Sequence, residues 1–338
     1  MPPLYVVQQN AKLRIRNGKL RVEVDKDEDG EIDLLVDVPL IHVSEVILFG
    51  NVGLTTPAVD ALLSREIPVV FLTRDGVYRG QLTGCLTPHV KLRQTQYQRI
   101  GEPAFVLEMS RCIVAAKLRH QKVLLQRRSR EQPNRVVDAA VQRIETAQAA
   151  VRQKTTCASL RGLEGTATRA YFRGFRSLFA SEWRFDRRLR RPPPDPVNVL
   201  LSFGYTLLAQ LASGAVQAVG LDPYAGFLHE YVYNRPALAL DLMEEFRPVV
   251  DGIVLWCCRS GVLTPGDFAP GPAERPVVLS EAGKKRFLQA FEQRMEAAYT
   301  HPVRGLKLPL RQCMIEQARQ ITRCVQSGQP EYRGMGFR

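Results

Sequence analysis

Leu13-Arg-Ile-Arg-Asn-Gly-Lys-Leu-Arg-Val-Glu-Val24 alternates apolar and polar residues on either side of Asn17-Gly18. A period of two turns one face of each segment toward a core, and Asn-Gly supplies a tight two-residue turn, so the stretch reads as a β-hairpin. Outward from it, residues 43–49 and 67–72 read as further strands, the second nearly all apolar and therefore buried. Residues 25–31 form an acidic turn. Residues 55–65 carry a helix start and an apolar stripe, and Asp75-Gly76 closes another hairpin toward residues 77–82. At Pro103 the period changes: Phe105, Met109, Cys112, Ile113, Ala116 and Val123 share one broad 3.6-residue face. Further helices are expected at 136–154, 157–181, 196–219, 236–259, 281–299 and 307–327. The expected architecture is α+β. A β-sandwich-like domain over residues 1–92 precedes a polar linker at 93–103 and a larger all-α domain at 104–330. Pro192-Pro-Pro-Asp-Pro196 reads as a rigid extended turn and residues 264–276 as a loop.

Charge narrows the partners. The 338 residues include 47 basic and 34 acidic side chains, a formal charge of +13. Residues 1–95 hold 11 basic and 12 acidic, so the whole positive excess lies beyond them. A basic excess confined to one region points to a polyanion, most simply nucleic acid. Seven cysteines, an odd number with no Cys-x-x-Cys spacing, argue against a disulfide framework and a zinc finger. The first residues lack a signal-peptide layout, and no apolar run is expected to reach membrane-spanning length, so the expectation is a soluble intracellular protein.

Two strings carry candidate chemistry. Leu160-Arg-Gly-Leu-Glu-Gly165 sets Glu164 between two glycines. Each glycine inside a helix costs about 1 kcal/mol relative to alanine, which suggests a place where another backbone approaches; the alternative is a helix end with a solvated Glu. Residues 229–248 supply His229, Asp241, Glu244 and Glu245. Spacings of three and four put Asp241 with Glu244 or with Glu245 on one helical face. Two close carboxylates repel unless a cation sits between them, whereas an ordinary amphipathic helix would leave its acids in water. Should the helix run through Pro248, it must kink there. Acids plus one imidazole on a basic chain suggest a divalent ion acting on a phosphodiester. Residues 169–191 interleave eight arginines with Tyr171, Phe172, Phe175, Trp183 and Phe185. Most of the aromatics are expected in the core, and Arg169, Arg173, Arg176, Arg187 and Arg188 against DNA.

The order of these strings resembles the CRISPR-associated integrase and endonuclease of spacer acquisition, the Cas-one family. Residues 39–50 and 67–72 resemble its N-terminal β-domain. Leu160-Arg-Gly-Leu-Glu-Gly165 with Ala170-Tyr-Phe172, Asp195-Pro-Val-Asn198 with Leu200-Leu-Ser-Phe-Gly-Tyr205, Gly226-Phe-Leu-His229, and Leu240-Asp-Leu-Met-Glu-Glu-Phe-Arg-Pro248 are similar to its later motifs. The resemblance implies Mg²⁺ or Mn²⁺ held by Glu164, His229 and Glu244, with Asp241 orienting His229 or a metal-bound water. The imidazole tilts the preference toward Mn²⁺. It implies a 3′-hydroxyl of incoming double-stranded DNA attacking a phosphodiester of a CRISPR repeat, in the cytoplasm of a prokaryote. It also implies a homodimer and a small ferredoxin-fold partner, the second-numbered Cas subunit, completing a heterohexamer. Apolar residues 43–54 and 67–72 are the expected dimer contact. Nothing in the chain resembles a reverse transcriptase or accessory nuclease domain. Two other readings stay open: a metal-dependent nuclease on branched DNA in repair, and a non-catalytic DNA-binding scaffold.

Overall fold

The computed structural model describes residues 2–25, 32–84 and 88–337, in two units, Met1–Leu86 and Thr87–Arg338. In the first, β2 (Ala11–Arg16) and β3 (Lys19–Asp25) form the expected hairpin, with Arg16 opposite Lys19. Asn17 and Gly18 both take positive φ, 51° and 72°, the conformation that a two-residue turn between twisted strands requires. β4 (Ile32–Pro39) extends this sheet antiparallel on one side, and β6 (Gly53–Leu54) pairs parallel on the other. A second sheet orders β1 (Leu4–Val6), β5 (Val46–Phe49), β7 (Val69–Leu72) and β8 (Tyr78–Leu82). Its first three strands are parallel, and α1 (Thr56–Leu63) lies on the connection from β5 to β7. Leu13, Leu20 and Val22 of one sheet share a single core with Val6, Val46, Leu48 and Val69 of the other, so the unit is a sandwich. The acidic turn expected at 25–31 lies outside the described residues except for Asp25, which ends β3.

The apolar strands within 43–54 and 67–72 are core. All four residues of β5 are buried and β7 is nearly so, because strands enclosed on both faces must be apolar throughout. Exposed apolar side chains include three on the edge strand β4, Ile32, Leu34 and Leu35, 53%, 49% and 48% exposed, besides Ile41, Val77 and Tyr78.

The second unit begins where a linker was expected. Residues 90–100 form α2 (Val90–Ile100), and its polar composition reflects bonding rather than flexibility. Gln96 is buried and donates to the carbonyls of Asp222 and Ala225, while Tyr97 donates to Asp222 at 2.7 Å. There follow α3 (Pro103–Glu131), α4 (Arg135–Ala150), α5 (Cys157–Arg176), α6 (Pro196–Ala218), α7 (Ala237–Glu244), α8 (Arg247–Arg259), α9 (Glu281–Glu296) and α10 (Leu310–Ser327). Their starts are written in the sequence: Asn134, Thr156, Asp195 and Ser280 accept first-turn N–H groups at α4, α5, α6 and α9. The unit is not purely helical. β9 (Phe268–Pro270) pairs with β10 (Val277–Leu279), so residues 264–276 hold a ribbon strand, and β11 (Ala298–Thr300) pairs with β12 (Lys307–Pro309).

The single helix expected at 236–259 is two. The chain breaks at Glu245-Phe246, and Pro248 sits in the first turn of α8, where its missing N–H leaves no bond unmade, so it starts a helix rather than kinking one. α6 also departs from expectation. It is long and apolar enough to cross a membrane, the one such helix among the described residues. In the fold it is a core helix packed by α7, α8 and α10. Six of the cysteines are free; Cys257, Cys258, Cys313 and Cys324 are buried, and burial pushes the Cys313 and Cys324 thiols up to about 11.

Candidate metal centre

α7 is buried along nearly its whole length, Asp241 and Glu244 included. Its acids are therefore not a solvated face, and each needs a partner. Asp241 finds four donors. The backbone N–H groups of Phe227, Leu228 and His229 reach it at 2.6, 3.0 and 3.0 Å, and His229 Nδ1 lies 2.6 Å away. Gly226 makes this wrapping possible, because a Cβ there would stand 2.6 Å from the carbonyl carbon of Ala237. These bonds tie Asp241 to the 227–229 loop and to the imidazole. An ionised Asp241 accepts from Nδ1–H, so in the neutral ring, the form that ligates a metal, Nε2 carries the lone pair.

Nε2 lies 3.7 Å from Glu244 Oε1. Glu244 Oε1 accepts from Arg247 Nε at 2.7 Å. Burial alone would raise the Glu244 carboxyl, but the Arg247 guanidinium, then the Lys117 ammonium and His229, hold it well below the usual carboxylate range. Glu164 is not at a helix end. It lies in the body of α5, accepting from Thr168 Oγ1 at 2.8 Å. Gly162 and Gly165 have open space beside them, so among the described residues no second helix approaches either glycine.

Glu164 and Glu244 converge, but not into a ready ligand shell. Lys117 of α3 stands between them, Nζ 2.5 Å from Glu164 Oε1 and 2.5 Å from Glu244 Oε2. Among the described residues no three His, Cys, Asp or Glu side chains stand together as a metal set. The ammonium occupies the space between the two carboxylates. The donors nevertheless suit a divalent ion: two carboxylates on one cation, an imidazole nitrogen 3.7 Å from Glu244, and a Glu244 Oε2 that is buried without an aligned hydrogen-bond donor. Lys117 and Arg247 were not singled out in the sequence. The available signal was a lysine on the buried stripe of Ile113, Ala116 and His120, and an arginine three residues after Glu244.

The expected DNA arginines divide. Arg169, Arg173, Arg176 and Arg187 are exposed, with Arg176 paired to Asp186 at 2.9 Å. Arg188 is committed inside the fold. It donates to Leu189 O, Asn198 Oδ1 and Ser202 Oγ at 2.7, 2.9 and 3.1 Å, over the Tyr205 ring. Asp195 caps α6 and accepts from Asn198 Nδ2, so the Asp195-Pro-Val-Asn198 string is architectural. Tyr171, Phe175, Trp183 and Phe185 are core, as expected. Tyr171 and Tyr205 both donate to buried Asp251, at 2.6 and 2.5 Å. Burial raises that acid from 3.8 to about 6 against the pull of both hydroxyls and of Arg247 and Arg188.

These features define a class: α+β proteins in which a strand-rich unit precedes a basic helical unit bearing an acid–histidine site. The chain belongs to the Cas1 family, since the profile described as CRISPR associated protein Cas1 matches residues 4–293. It is 39% identical to a CRISPR-associated endonuclease Cas1 of Thermus thermophilus, covering 94% of each chain. It is 35% identical to a CRISPR-associated exonuclease Cas4/endonuclease Cas1 fusion of Geobacter sulfurreducens, over 98% of this chain but 59% of that one. This chain thus spans little more than half of the fusion. In a solved Cas6-RT-Cas1–Cas2 complex, a chain 27% identical superposes with a TM-score of 0.82, covering 99% of this chain and 36% of that one.

Proposed function

We propose that this chain is a divalent-metal-dependent DNA integrase and endonuclease that joins the 3′-hydroxyl of short DNA fragments to a phosphodiester of a CRISPR repeat. The observation that carries the reading is the convergence of Glu164 and Glu244 on one cation position, with His229 Nε2 3.7 Å from Glu244. Glu164, His229 Nε2 and Glu244 would hold Mg²⁺ or Mn²⁺. Such an ion, when bound, polarises a phosphodiester and offsets charge on the leaving oxygen. Asp241 fixes the imidazole tautomer and angle, and Arg247 fixes the Glu244 carboxylate. Arg169, Arg173, Arg176 and Arg187 neutralise DNA phosphates, and the open space beside Gly162 and Gly165 lets a backbone approach Glu164. Tyr231 and Tyr233, 83% and 91% exposed just beyond His229, offer ring faces to unpaired bases.

Two partners accompany this reading. A second copy of the chain fits the exposed apolar edge of β4, where strand addition would cover Ile32, Leu34 and Leu35. A Cas2 subunit is supported by the solved relative that holds one. The test is a strand-transfer assay in which a fragment with a free 3′-hydroxyl is offered a repeat-bearing duplex, with a branched duplex in parallel. Metal-dependent joining to the repeat, absent in Glu164→Ala, is expected. Cleavage of the branched DNA with no joining would replace the integrase reading with a repair nuclease.

A further inference from the structure

Lys117 has no task in that reaction, yet it is buried at the centre of the site. Its side chain is 8% exposed, on the face of α3 that carries Ile113, Val114 and Leu118 into the core. An ammonium withdrawn from water costs several kcal/mol unless charges compensate it. The charges here are Glu164 Oε1 and Glu244 Oε2, each 2.5 Å from Nζ. Arg247 holds the other Glu244 oxygen, so Lys117 alone bridges the two acids. Glu164 comes from α5 and Glu244 from α7. Without a cation between them they would repel, and one would protonate or turn away.

A divalent ion would need the same oxygens at about 2.0–2.3 Å. An ammonium already 2.5 Å from both leaves no room for it. The two cations therefore exclude each other. Lysine is suited to yielding, because a flexible four-carbon stem can carry its compact head away while α3 stays in place.

We propose that Lys117 is a built-in counter-cation: it bridges Glu164 and Glu244 in the metal-free chain, preserves their convergence, and is displaced when a divalent ion binds. The proposal rests on the metal centre described above. It accounts for the absence of an assembled three-ligand set among the described residues, and it means that metal affinity is set by exchange against an internal charge.

The test is Mn²⁺ alone titrated into the full chain, with free ion counted by electron spin resonance. Lys117→Gln removes the competitor and should bind Mn²⁺ about tenfold or more tightly than the unaltered chain, the scale of one charge-assisted contact. Lys117→Arg should bind more weakly, because a guanidinium grips two carboxylates at several points and yields less readily. A lysine that merely supported the fold would weaken binding in both variants. Equal or weaker binding by Lys117→Gln overturns the proposal and leaves the metal centre standing. Should Lys117→Gln not fold, Lys117→Arg decides alone, and affinity equal to or tighter than the unaltered chain overturns it. If the unaltered chain and Glu164→Ala bind Mn²⁺ equally, the metal centre falls and the proposal with it.

Discussion

Glu244 and Glu245 are adjacent, both buried, and held by opposite chemistry. Glu244 faces cations, Lys117 and Arg247, which keep it ionised. Glu245 faces neutral donors from the C-terminal segment and α10: Gln317 Nε2 and Met335 N at 2.8 Å each, and the Tyr332 hydroxyl. Burial raises its carboxyl against all three. The segment that supplies them is built in tightly. Met335 is fully buried, and a Cβ on Gly334 would stand 2.4 Å from Ala116 Cβ. The difference teaches how to read a buried acid. One balanced by side-chain cations keeps the charge that a metal ion would require, whereas one saturated by neutral, anchored donors is mortar. The helix break between α7 and α8 is what points the two side chains into different regions.

The largest contrast lies in activity. Glu244→Gln should lower metal-dependent strand transfer by about a thousandfold, several kcal/mol of lost charge stabilisation. Glu245→Gln, which keeps an acceptor, should retain most of it in the same assay. A comparable loss in both would erase the distinction. Next in size, Glu245→Ala should lower unfolding free energy in urea by about 3 kcal/mol, because it strands Gln317, Tyr332 and the Met335 N–H. No change would mean that the segment is not anchored there.

Asp251 sits between the two regimes, with neutral Tyr171 and Tyr205 as donors and Arg247 and Arg188 nearby. Its folded value of about 6 lies above the ordinary 3.8, so the folded state binds the proton more tightly. Its contribution to stability is intact below about pH 4, falls as pH rises to about 6, and stays reduced above, a swing of about 2 to 3 kcal/mol. Asp251→Asn should flatten that part of a denaturant-midpoint profile. An unchanged profile would assign the acid to the cation-balanced regime. Smallest of these effects, Asp241→Asn disturbs the orienter and not a ligand, so metal affinity should fall tenfold to a hundredfold rather than vanish. Complete loss would make Asp241 a ligand.

Local patterns were legible wherever a local rule governs them. The Asn17-Gly18 turn and the alternation in β2 and β3 follow from neighbouring residues alone. Residues 93–103 misled because α2 uses polar side chains, Gln96 and Tyr97, to bind a loop some 125 residues away. Period and composition cannot register such a bond. The break at Glu245-Phe246 was equally hidden, and the donors that hold the Glu245 side chain there come from residues 317–335. Within the site, Glu164, His229, Asp241 and Glu244 were readable as residue types that need a partner. Lys117 was not, because a single lysine on an apolar stripe acquires meaning only when α5 and α7 bring acids to it. Arg188 looked like its exposed neighbours for the converse reason: Asn198 and Ser202, which hold it, lie in the next helix.

The most direct test of the metal centre is anomalous diffraction at the manganese edge from crystals of the full chain grown with Mn²⁺. The account predicts one strong peak between Glu164, His229 Nε2 and Glu244, with donor atoms about 2.0–2.3 Å away and Lys117 moved aside. A peak on other residues, or none at this position while Lys117 still bridges the two glutamates, would contradict it.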